Sequence, residues 1–592
     1  MKFPYGNSDF YKIISEGYLY LDRTDCIPFL EEAGDSLLFL RPRRFGKSLL
    51  VSMLENYYDI AKAADFERLF GHLAIGKNPT PLHNQYLVMK WDFSFVRTYG
   101  SVDDIDRALH QYINQRIRDF ISRYDHLLTD TVQAQTENAM ISFLDLLTLV
   151  RGSGHKLYLL IDEYDNFANE VLMSGSINNP ERYATLVTGE GIFKSFFKAI
   201  KGGMAGLGLD RSFITGVSPI VMSDVTSGYN IATNLTWKPR LNDLCGFTGD
   251  EIRPLVDAVA ATCQLPHKAE EAMELIRVFY NGSRFAFNDP QPVYNPTLVF
   301  YFLREWQESC LYPEKVLDGN LSSDYQKLVY ISNHPDGEAI LLAALNAQEV
   351  LSVPEVGERF GAGEMLLPDK RRDRLASLLC YLGVLTVAGR TADGGYVLEI
   401  PNLVIRRLYA ERVLELILPP HDQQAGQDAA KLLYAQGKMQ PLCDFLEQNQ
   451  LKIFDNRDYH GANDLTFKTL FLTLLYNDIA YMMDSESALE RAYADLTMIL
   501  RPEMRRFTLL DILIEFKYVP LVKLKLSGQE VKSHTAAALK QLDPVQTEIT
   551  QAETQLRLYA TKLQAKYGDQ LRLRAYAVVA IGFERLVWVE VT

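Results

Sequence analysis

The chain has 592 residues, 47 % of them apolar, and a formal net charge of -14. This length predicts several domains with their own hydrophobic cores, and the negative charge argues against a protein that coats nucleic acid over its whole surface. The six scattered cysteines lack a CxxC pair, which argues against a zinc site and indicates a reducing compartment. No apolar run approaches the ~20 residues of a membrane span, and the N-terminus lacks the apolar core of a signal peptide. We therefore expect a cytoplasmic protein without a membrane segment.

The segment from Leu37 to Glu55, LLFLRPRRFGKSLLVSMLE, combines a strand, a loop and a helix. Residues 37–40 predict a buried parallel strand, and Gly46-Lys47-Ser48 open a segment with helical apolar spacing. This is the layout of a phosphate-binding P-loop, because backbone N–H groups at a helix N-terminus point toward an anion. Lys47 is expected at the β- and γ-phosphates and the Ser48 hydroxyl on Mg²⁺, while Gly46 lets the backbone approach the phosphates.

The loop departs from the standard P-loop pattern at one position. That pattern has a glycine five residues before Gly46, where this chain has Arg41 followed by Pro42. The entrance of the loop must therefore turn differently, and a basic surface loop before an ordinary helix is the alternative interpretation. The residues predicted to bind the nucleotide in this segment are Arg43, Arg44, Phe45, Gly46, Lys47, Ser48 and Leu49.

A later apolar run, Leu157 to Ile161, ends in the acidic pair Asp162-Glu163. An acidic pair at the carboxyl end of a buried strand is the Walker B arrangement of P-loop ATPases. Asp162 would hold Mg²⁺ and Glu163 would polarise the attacking water, since phosphoryl transfer depends mainly on positioning and charge stabilisation. The alternative is a strand followed by a helix that Asp165 caps.

The neighbouring segments predict further core elements. They are a strand at Tyr86–Phe95, helices within 102–150, a helix at Ile192–Ile200, a glycine-rich turn at Gly202–Gly208 and a strand at Arg211–Ile220. The last strand contains Thr215-Gly216-Val217-Ser218 near its end. A polar residue at this position can sense the γ-phosphate of ATP, and Thr215 or Ser218 could do so, although a simple strand-to-loop turn explains the same residues equally well.

These blocks resemble the bacterial AAA-ATPase-like family. The matching segments are RPRRFGKS, LLIDEYD, ITGVSP, SGYNIATNLT (227–236) and GFTGDEI (246–252), which occur in this order within residues 1 to about 300. The family consists of P-loop ATPases of the broader AAA/STAND kind, often joined to a PD-(D/E)xK nuclease-like domain. The resemblance therefore implies ATP binding, and the arginine at the first-glycine position is similar to the family's own pattern.

Residues 250–330 predict mostly helices, and the pattern changes from Glu338 to Ile417. Helical stretches at 338–346, 353–360 and 370–382 precede a hairpin around 392–395. Three helices and a hairpin predict a winged-helix-like module, which binds DNA in some proteins and serves as a lid or protein contact in others. The arginines that could meet phosphates there are Arg371, Arg372, Arg374, Arg406 and Arg407. A solvated helical face explains them better, and the polar segment His421–Asp428 predicts the linker to the last domain.

The C-terminal region places two acidic residues and a lysine on predicted strands. Asp495 stands at the start of one strand, and the next, Phe507–Lys517, ends in Glu515-Phe516-Lys517. Alternation puts Glu515 and Lys517 on one face, where Asp495 could join them. The two carboxylates would bind Mg²⁺ for phosphodiester cleavage, and Lys517 would orient the water or neutralise the phosphate. The motif is weak by itself, because chance matches are common.

This constellation also resembles the PD-(D/E)xK domain that accompanies the ATPase family. Asp464, in a helix predicted at 464–480, falls where the family has a helix carboxylate and is taken as a further metal ligand. The segment with Gln555 and Tyr559 resembles the family's helix after the strand that carries the active site. Residues 574–583 and 586–591 resemble the family's closing strands. Tyr493 stands where the family has the arginine of a Gly-Arg-x-Asp block. The alternative is a degenerate nuclease fold with a structural role.

Together these patterns predict an α/β protein with three parts. They are a P-loop NTPase domain with a parallel sheet at 1–250, a helical and winged-helix-like region at 251–420, and an α/β restriction-endonuclease-like domain at 421–592. We expect an ATPase coupled to a Mg²⁺-dependent nuclease, with ATP and Mg²⁺ as cofactors and DNA favoured over RNA as the partner of the last domain. The middle region would carry any contact with a second copy or another protein. The alternative is a nucleotide-dependent signalling or scaffold protein with an inactive nuclease fold.

Overall fold

The protein forms two compact units. The first comprises Met1–Ala269, Tyr280–Cys310 and Ser352–Pro401, and the second comprises Glu270–Phe279, Leu311–Leu351 and Asn402–Thr592. The computed structural model describes residues 1–128, 138–173, 179–187, 191–225, 229–288, 290–316, 322–345, 350–418, 420–449, 464–484 and 494–591. The predicted boundaries at 250 and 420 stay a prediction.

A five-stranded parallel sheet lies at the centre of the first unit. Its strands are β1 Ser36–Leu40, β2 Tyr86–Asp92, β3 Lys156–Asp162, β4 Leu209–Gly216 and β5 Thr233–Asn234. They run in the order β2-β3-β4-β1-β5, and every neighbouring pair is parallel. All five residues of β1 are buried, as expected for a strand covered on both faces. The predicted α/β fold with a parallel sheet is thus confirmed for this region.

Helices cover the sheet and complete the first unit. The longer ones are Lys47–Tyr58, Val102–Arg123, Ala139–Gly152, Asn166–Met173, Asn179–Val187, Ile192–Met204, Gly249–Thr262, Pro296–Ser309 and Arg371–Tyr381. The helix that starts at Ile192 extends through Gly203, so the glycine-rich turn predicted at 202–208 begins later than expected. A Cβ on Gly203 would lie 2.6 Å from Leu147 Cδ1. Glycine at this position therefore serves close packing within the helix.

A small antiparallel sheet also belongs to the first unit. It consists of β6 Ser352–Val353, β7 Thr386–Arg390 and β8 Tyr396–Glu399, in the order β6-β8-β7. The predicted hairpin is confirmed as the β7–β8 pair. The helix predicted at 353–360 is wrong, because this segment is a strand end and an irregular loop that contains Pro354 and Gly357. The helix Gly337–Leu345 lies in the second unit, so the three predicted helices do not form one module.

The second unit contains a mixed five-stranded sheet. Its strands are β9 Tyr481–Asp484, β10 Leu496–Leu500, β11 Asp511–Val519, β12 Leu573–Ile581 and β13 Arg585–Val591. They run in the order β13-β12-β11-β10-β9, with β11 and β12 parallel and the other pairs antiparallel. The helix Asp543–Tyr567 connects the two parallel strands and packs on both, as such a crossover requires. The two predicted closing strands are confirmed as β12 and β13.

The remaining helices of the second unit include Ser322–Ser332, Gly337–Leu345, Leu403–Ile417, Pro420–Gln436, Gln440–Asn449 and Asp464–Leu475. The linker predicted at His421–Asp428 is wrong, because the segment lies inside the helix Pro420–Gln436. Gly426 belongs to a packing surface there, since a Cβ on it would lie 2.8 Å from Leu474 and 3.0 Å from Phe445. The helix predicted at 464–480 ends at Leu475, before β9.

One pair of cysteines departs from the expectation of scattered thiols. A disulfide joins Cys263 and Cys310, which follow the helices Gly249–Thr262 and Pro296–Ser309. The other four cysteines are buried free thiols. Cysteine spacing is therefore a poor guide to the redox compartment here, and the cytoplasmic location stays a prediction. Across the part of the chain that the structure describes, every helix falls short of what crossing a bilayer requires.

Candidate nucleotide and metal sites

The P-loop follows β1 and ends at the helix Lys47–Tyr58. Gly46 precedes this helix with a φ of +82°, a left-handed conformation that glycine adopts without strain. Lys47 is 5 % exposed, and its Nζ donates a hydrogen bond to the Pro42 carbonyl at 3.0 Å. Burial lowers the pKa of Lys47, while the nearby carboxylates of Asp162 and Glu163 oppose this effect. The predicted strand, loop and helix are all present, with the ammonium held inside the loop.

Arg41 explains how the loop entrance turns without a glycine. Its guanidinium is buried and donates to the carbonyl oxygens of Thr236 and Leu241, both at 2.6 Å. It also lies over the rings of Phe39 and Phe285, at 4.3 and 4.4 Å. Burial lowers the pKa of Arg41 to about 9. The side chain therefore ties the end of β1 to the segment 236–241, a contact that a glycine could not make.

The Walker B pair lies where β3 ends. Asp162 is fully buried, and its Oδ1 accepts a hydrogen bond from the Glu163 N–H at 3.0 Å. Its Oδ2 has no hydrogen-bond partner among the described residues. Burial raises the pKa of Asp162 against the opposing effects of the Ser48 hydroxyl and the Lys47 ammonium. Glu163 has a φ of +49°, and burial raises its pKa as well, with Lys47 opposing.

Thr215 lies near the end of β4, opposite Phe39 of β1. It is fully buried, and within the described part of the chain its hydroxyl Oγ1 makes no hydrogen bond. Ser218, the other residue considered as a phosphate sensor, donates its hydroxyl to Asn169 Oδ1 at 3.3 Å. The two residues thus differ in that the Thr215 hydroxyl lacks a hydrogen-bond partner within the described residues and the Ser218 hydroxyl has one.

Asp165 links the Walker B segment to the end of β4. Its carboxylate accepts hydrogen bonds from the N–H groups of Val217 at 3.1 Å and Ser218 at 2.7 Å, and from the Asn169 amide at 2.6 Å. A Cβ on Gly216 would lie 2.2 Å from Asp165 Oδ1, so this contact requires glycine there. These bonds tie the Asp165 side chain to the end of the strand that carries Thr215.

The other predicted loop residues have distinct surroundings. Arg43 donates to Asn166 Oδ1 at 2.8 Å, and the Arg44 carbonyl accepts from the Thr297 hydroxyl at 2.9 Å. Phe45 and Leu49 line a mainly apolar cavity of about 80 Å³ beside Gly46. The other walls of this cavity include Tyr20, Leu244 and Phe300. The sequence singles out none of these wall residues individually, because they come from distant segments without a polar motif.

The buried polar atoms of this site fit a nucleotide with Mg²⁺. Buried polar atoms are almost always hydrogen-bonded in native proteins, yet Asp162 Oδ2 and Thr215 Oγ1 have no such partner within the described residues. Both stand near the carboxyl ends of neighbouring strands, β3 and β4, and β4 in turn pairs with β1, which leads into the P-loop. Ligands of open α/β sheets bind at this edge. A carboxylate oxygen suits Mg²⁺, and a hydroxyl suits a phosphate oxygen.

The predicted C-terminal side chains also meet. The pairing of Leu496 with Ile514 between β10 and β11 places Asp495 beside Glu515. The Asp495 N–H donates to Glu515 Oε2 at 3.4 Å, and Lys517 Nζ donates to Glu515 Oε1 at 2.9 Å. Burial and the neighbouring Asp495 raise the pKa of Glu515 to about 7, against the charge of Lys517. The three residues converge, while their roles in metal binding and catalysis stay predictions.

Sequence analysis missed a second lysine in this site. Lys468, on the helix Asp464–Leu475, is 4 % exposed, and its Nζ donates to Asp495 Oδ1 at 3.3 Å. A lysine within an apolar helix carries no motif, so the sequence offered no signal for it. The predicted Tyr559 is close enough for Glu515 and Asp495 to raise its pKa, after the larger effect of burial.

Few of the described side chains in the C-terminal site could bind a metal ion. Among the described side chains, no third Asp, Glu, His or Cys joins Asp495 and Glu515 as a metal-binding group. The side chain of Asp464 and all of Tyr493 lie outside the described residues, so the assignment of Asp464 as a ligand stays a prediction. Two carboxylates still provide the hard oxygen ligands that Mg²⁺ prefers, with water completing its shell.

The parallel sheet, the P-loop and the acidic strand end together define an α/β protein of the P-loop class. Residues 4–226 match the family model described as "Predicted AAA-ATPase", so this region is similar to that family. Over 316 residues the chain is 27 % identical to an uncharacterized protein in the vnfD 5′ region of Azotobacter chroococcum mcd 1. The match covers 52 % of this chain and 53 % of that protein. The chain thus spans about half the length of this curated relative.

Two solved structures show a remote similarity. One is the Orc1 protein of Aeropyrum pernix in complex with DNA, at 11 % identity and a TM-score of 0.24, covering 67 % of this chain and 95 % of that one. The other is Cdc6p of Pyrobaculum aerophilum, also at 11 % identity and a TM-score of 0.24, covering 69 % and 93 %. At this TM-score neither structure supports a conclusion about this chain.

Proposed function

We propose that the first unit binds and hydrolyses ATP at its P-loop. The observation that carries the proposal is a pair of buried polar atoms that make no hydrogen bond within the described residues, Asp162 Oδ2 on β3 and Thr215 Oγ1 on β4. Strand β4 lies between β3 and β1, and β1 leads to Lys47. Such atoms cost free energy unless a ligand satisfies them. Mg²⁺ held by Ser48 and Asp162 would supply charge neutralisation of the phosphates.

Each residue of the site then has a defined task. The Lys47 ammonium exchanges the Pro42 carbonyl for phosphate oxygens, and the backbone N–H groups that follow Gly46 bind the same anion. Glu163 orients the attacking water, and the Thr215 hydroxyl donates to the γ-phosphate. The apolar cavity beside Gly46 would receive the base, because its walls can cover a flat ring.

Thr215→Val tests this proposal, because it keeps the shape of the side chain and removes the hydroxyl. We expect the variant to bind ATP within about threefold of the wild type and to hydrolyse it at least tenfold more slowly, as expected for a hydrogen bond that is weak with bound ATP and stronger in the transition state. Thr148→Val is the matched control, since Thr148 is exposed on the helix Ala139–Gly152. Equal hydrolysis by both variants and the wild type would contradict the role of Thr215.

We further propose that the second unit is a Mg²⁺-dependent nuclease whose activity depends on ATP. The observation that favours it is the meeting of Asp495, Glu515 and Lys517 at the paired strands β10 and β11. The two carboxylates would hold Mg²⁺, which supplies the hydroxide and stabilises the charge of the phosphodiester transition state. Lys517 would position the water or bind the phosphate. DNA is the favoured substrate and RNA the second.

A cleavage assay on single- and double-stranded DNA and RNA, with and without ATP, tests the nuclease. We expect Glu515→Gln and Lys517→Met to abolish Mg²⁺-dependent cleavage while ATP binding is retained. Glu553→Gln on the crossover helix Asp543–Tyr567 is the control that should cleave like the wild type. Failure of the intact chain to cut any of these substrates would favour the alternative, a nucleotide-dependent scaffold with an inactive nuclease fold.

A further inference from the structure

The carboxylate pair of the second unit is already engaged by protein donors. Asp495 Oδ1 accepts from Lys468 Nζ at 3.3 Å, and its Oδ2 accepts from the Phe516 N–H at 2.8 Å. Glu515 Oε1 accepts from Lys517 Nζ at 2.9 Å, and its Oε2 accepts from the Asp495 N–H at 3.4 Å. All four carboxylate oxygens therefore have a donor, and one lysine contacts each carboxyl group.

Lys468 is the unexpected member of this group. It is 4 % exposed, on a helix whose neighbouring residues are mainly apolar, and it forms an ion pair with Asp495. Burying an ammonium is costly unless a partner compensates for the lost water. A leucine or methionine would fill such a position without this cost. The lysine at this position thus requires an explanation beyond packing, and Asp495 provides its partner.

We propose that Lys468 occupies an Asp495 carboxylate oxygen that a divalent cation would bind, and that it turns to a substrate phosphate when the cation binds. This inference rests on the nuclease function proposed above. A hard cation needs a carboxylate oxygen of Asp495, and an ammonium on the same carboxylate repels that cation at short distance. The two charges therefore compete for one carboxylate. A phosphate resolves the competition, because it offers the ammonium a second anion.

The consequence is a coupling between metal and substrate. Without nucleic acid, Lys468 weakens metal binding because the cation must displace it. With a phosphate in place, Lys468 has another partner, so the metal binds more tightly. Lys517 differs from Lys468 in this respect, because it lies two residues from Glu515 on the same strand and contacts the other carboxylate. Removal of the Lys468 charge should therefore strengthen metal binding and slow the reaction.

Calorimetric titration of the full chain with Mg²⁺, without nucleotide or nucleic acid, tests this inference. We expect Lys468→Met to bind Mg²⁺ about tenfold more tightly than the wild type, because the competing charge is gone. Lys468→Arg, which keeps the charge, should retain the weaker affinity of the wild type. Lys431→Met is the matched control, because Lys431 is exposed and pairs with Asp428. Asp495→Asn should remove the heat that belongs to this site.

Equal affinity of Lys468→Met and the wild type, weaker binding by the variant, or no binding by either would overturn the inference. Lys468→Gln serves as a second neutral variant if Lys468→Met unfolds at a lower temperature. In cleavage assays, Lys468→Met should lower both kcat and the half-saturating Mg²⁺ concentration, which loss of a merely structural contact would not do. Absence of cleavage by the wild type would refute the nuclease proposal, while the metal titration would still decide whether Lys468 competes with the cation for Asp495.

Discussion

Replacing Lys47 by methionine tests the nucleotide site selectively, because it removes the ammonium and keeps the apolar stem. Lys47 is 5 % exposed and bonded to the Pro42 carbonyl, and burial lowers its pKa. The ammonium has already lost its water before a ligand arrives, so a phosphate gains a nearly desolvated partner. Truncating one member of such a buried charge pair costs about 2–5 kcal/mol. The dissociation constant for ATP should therefore rise by roughly 30-fold to several thousand-fold.

The free protein should respond differently to the same change. A methionine avoids the cost of burying an ammonium, so the free energy of unfolding without ATP should not fall by more than about 1 kcal/mol. Thermal unfolding then serves as the assay, since ATP at 100 times its dissociation constant stabilises the wild type by about 2.7 kcal/mol. Lys47→Met should lose this stabilisation, and the exposed Lys77→Met should retain it. An ATP affinity of Lys47→Met within about threefold of the wild type would refute the reasoning.

Three further predictions concern turnover, pH and packing. Glu163→Gln should retain ATP binding and reduce the hydrolysis rate at least 100-fold in a phosphate-release assay, because the amide cannot polarise water; unchanged turnover would contradict its role. Glu515 has a pKa raised to about 7 from 4.5, so its proton stabilises the folded state at low pH. In EDTA, the contribution of Glu515 to the free energy of unfolding should thus fall by up to about 3 kcal/mol as the pH rises from 4.5 to 7. Glu515→Gln should remove this contribution from the pH dependence, and identical pH dependence of the variant and the wild type would disprove the assignment. Gly282→Ala would place a Cβ 1.8 Å from the Pro401 carbonyl at a φ of +110° and should cost at least about 2 kcal/mol. Gly202→Ala, in an open helical position, should instead stabilise by up to about 1 kcal/mol. Denaturant titration of both variants and the wild type measures these differences.

Strands and site residues are predicted best from the sequence where an apolar run is followed directly by a motif. Leu37–Leu40 and Leu157–Ile161 are continuous apolar runs, the first directly before the P-loop and the second directly before the acidic pair. Both runs form buried parallel strands. The alternation in Glu515-Phe516-Lys517 gives the correct face, and β10 brings Asp495 to it. In these cases the local pattern contains the information, because strand period and burial follow from the residues themselves.

Structural features are predicted poorly from the sequence where they depend on contacts between segments that are distant along the chain. The polar segment 421–428 lies in a helix that packs closely at Gly426, where an added Cβ would lie 2.8 Å from Leu474 and 3.0 Å from Phe445. The disulfide between Cys263 and Cys310 spans 47 residues without a spacing motif. Lys468 acquires its partner through tertiary structure. None of these contacts follows from local periodicity, since each joins segments that only the fold brings together.

The most direct test of the account is an experimental structure of the full chain with Mg²⁺ and a non-hydrolysable ATP analogue. We predict that the phosphates lie over the helix that begins at Lys47, with Lys47 Nζ moved from the Pro42 carbonyl to phosphate oxygens. Asp162 Oδ2 should face the metal ion, and Thr215 Oγ1 should face the terminal phosphate. A nucleotide bound elsewhere, or a P-loop that stays empty at saturating ATP analogue, would contradict the account.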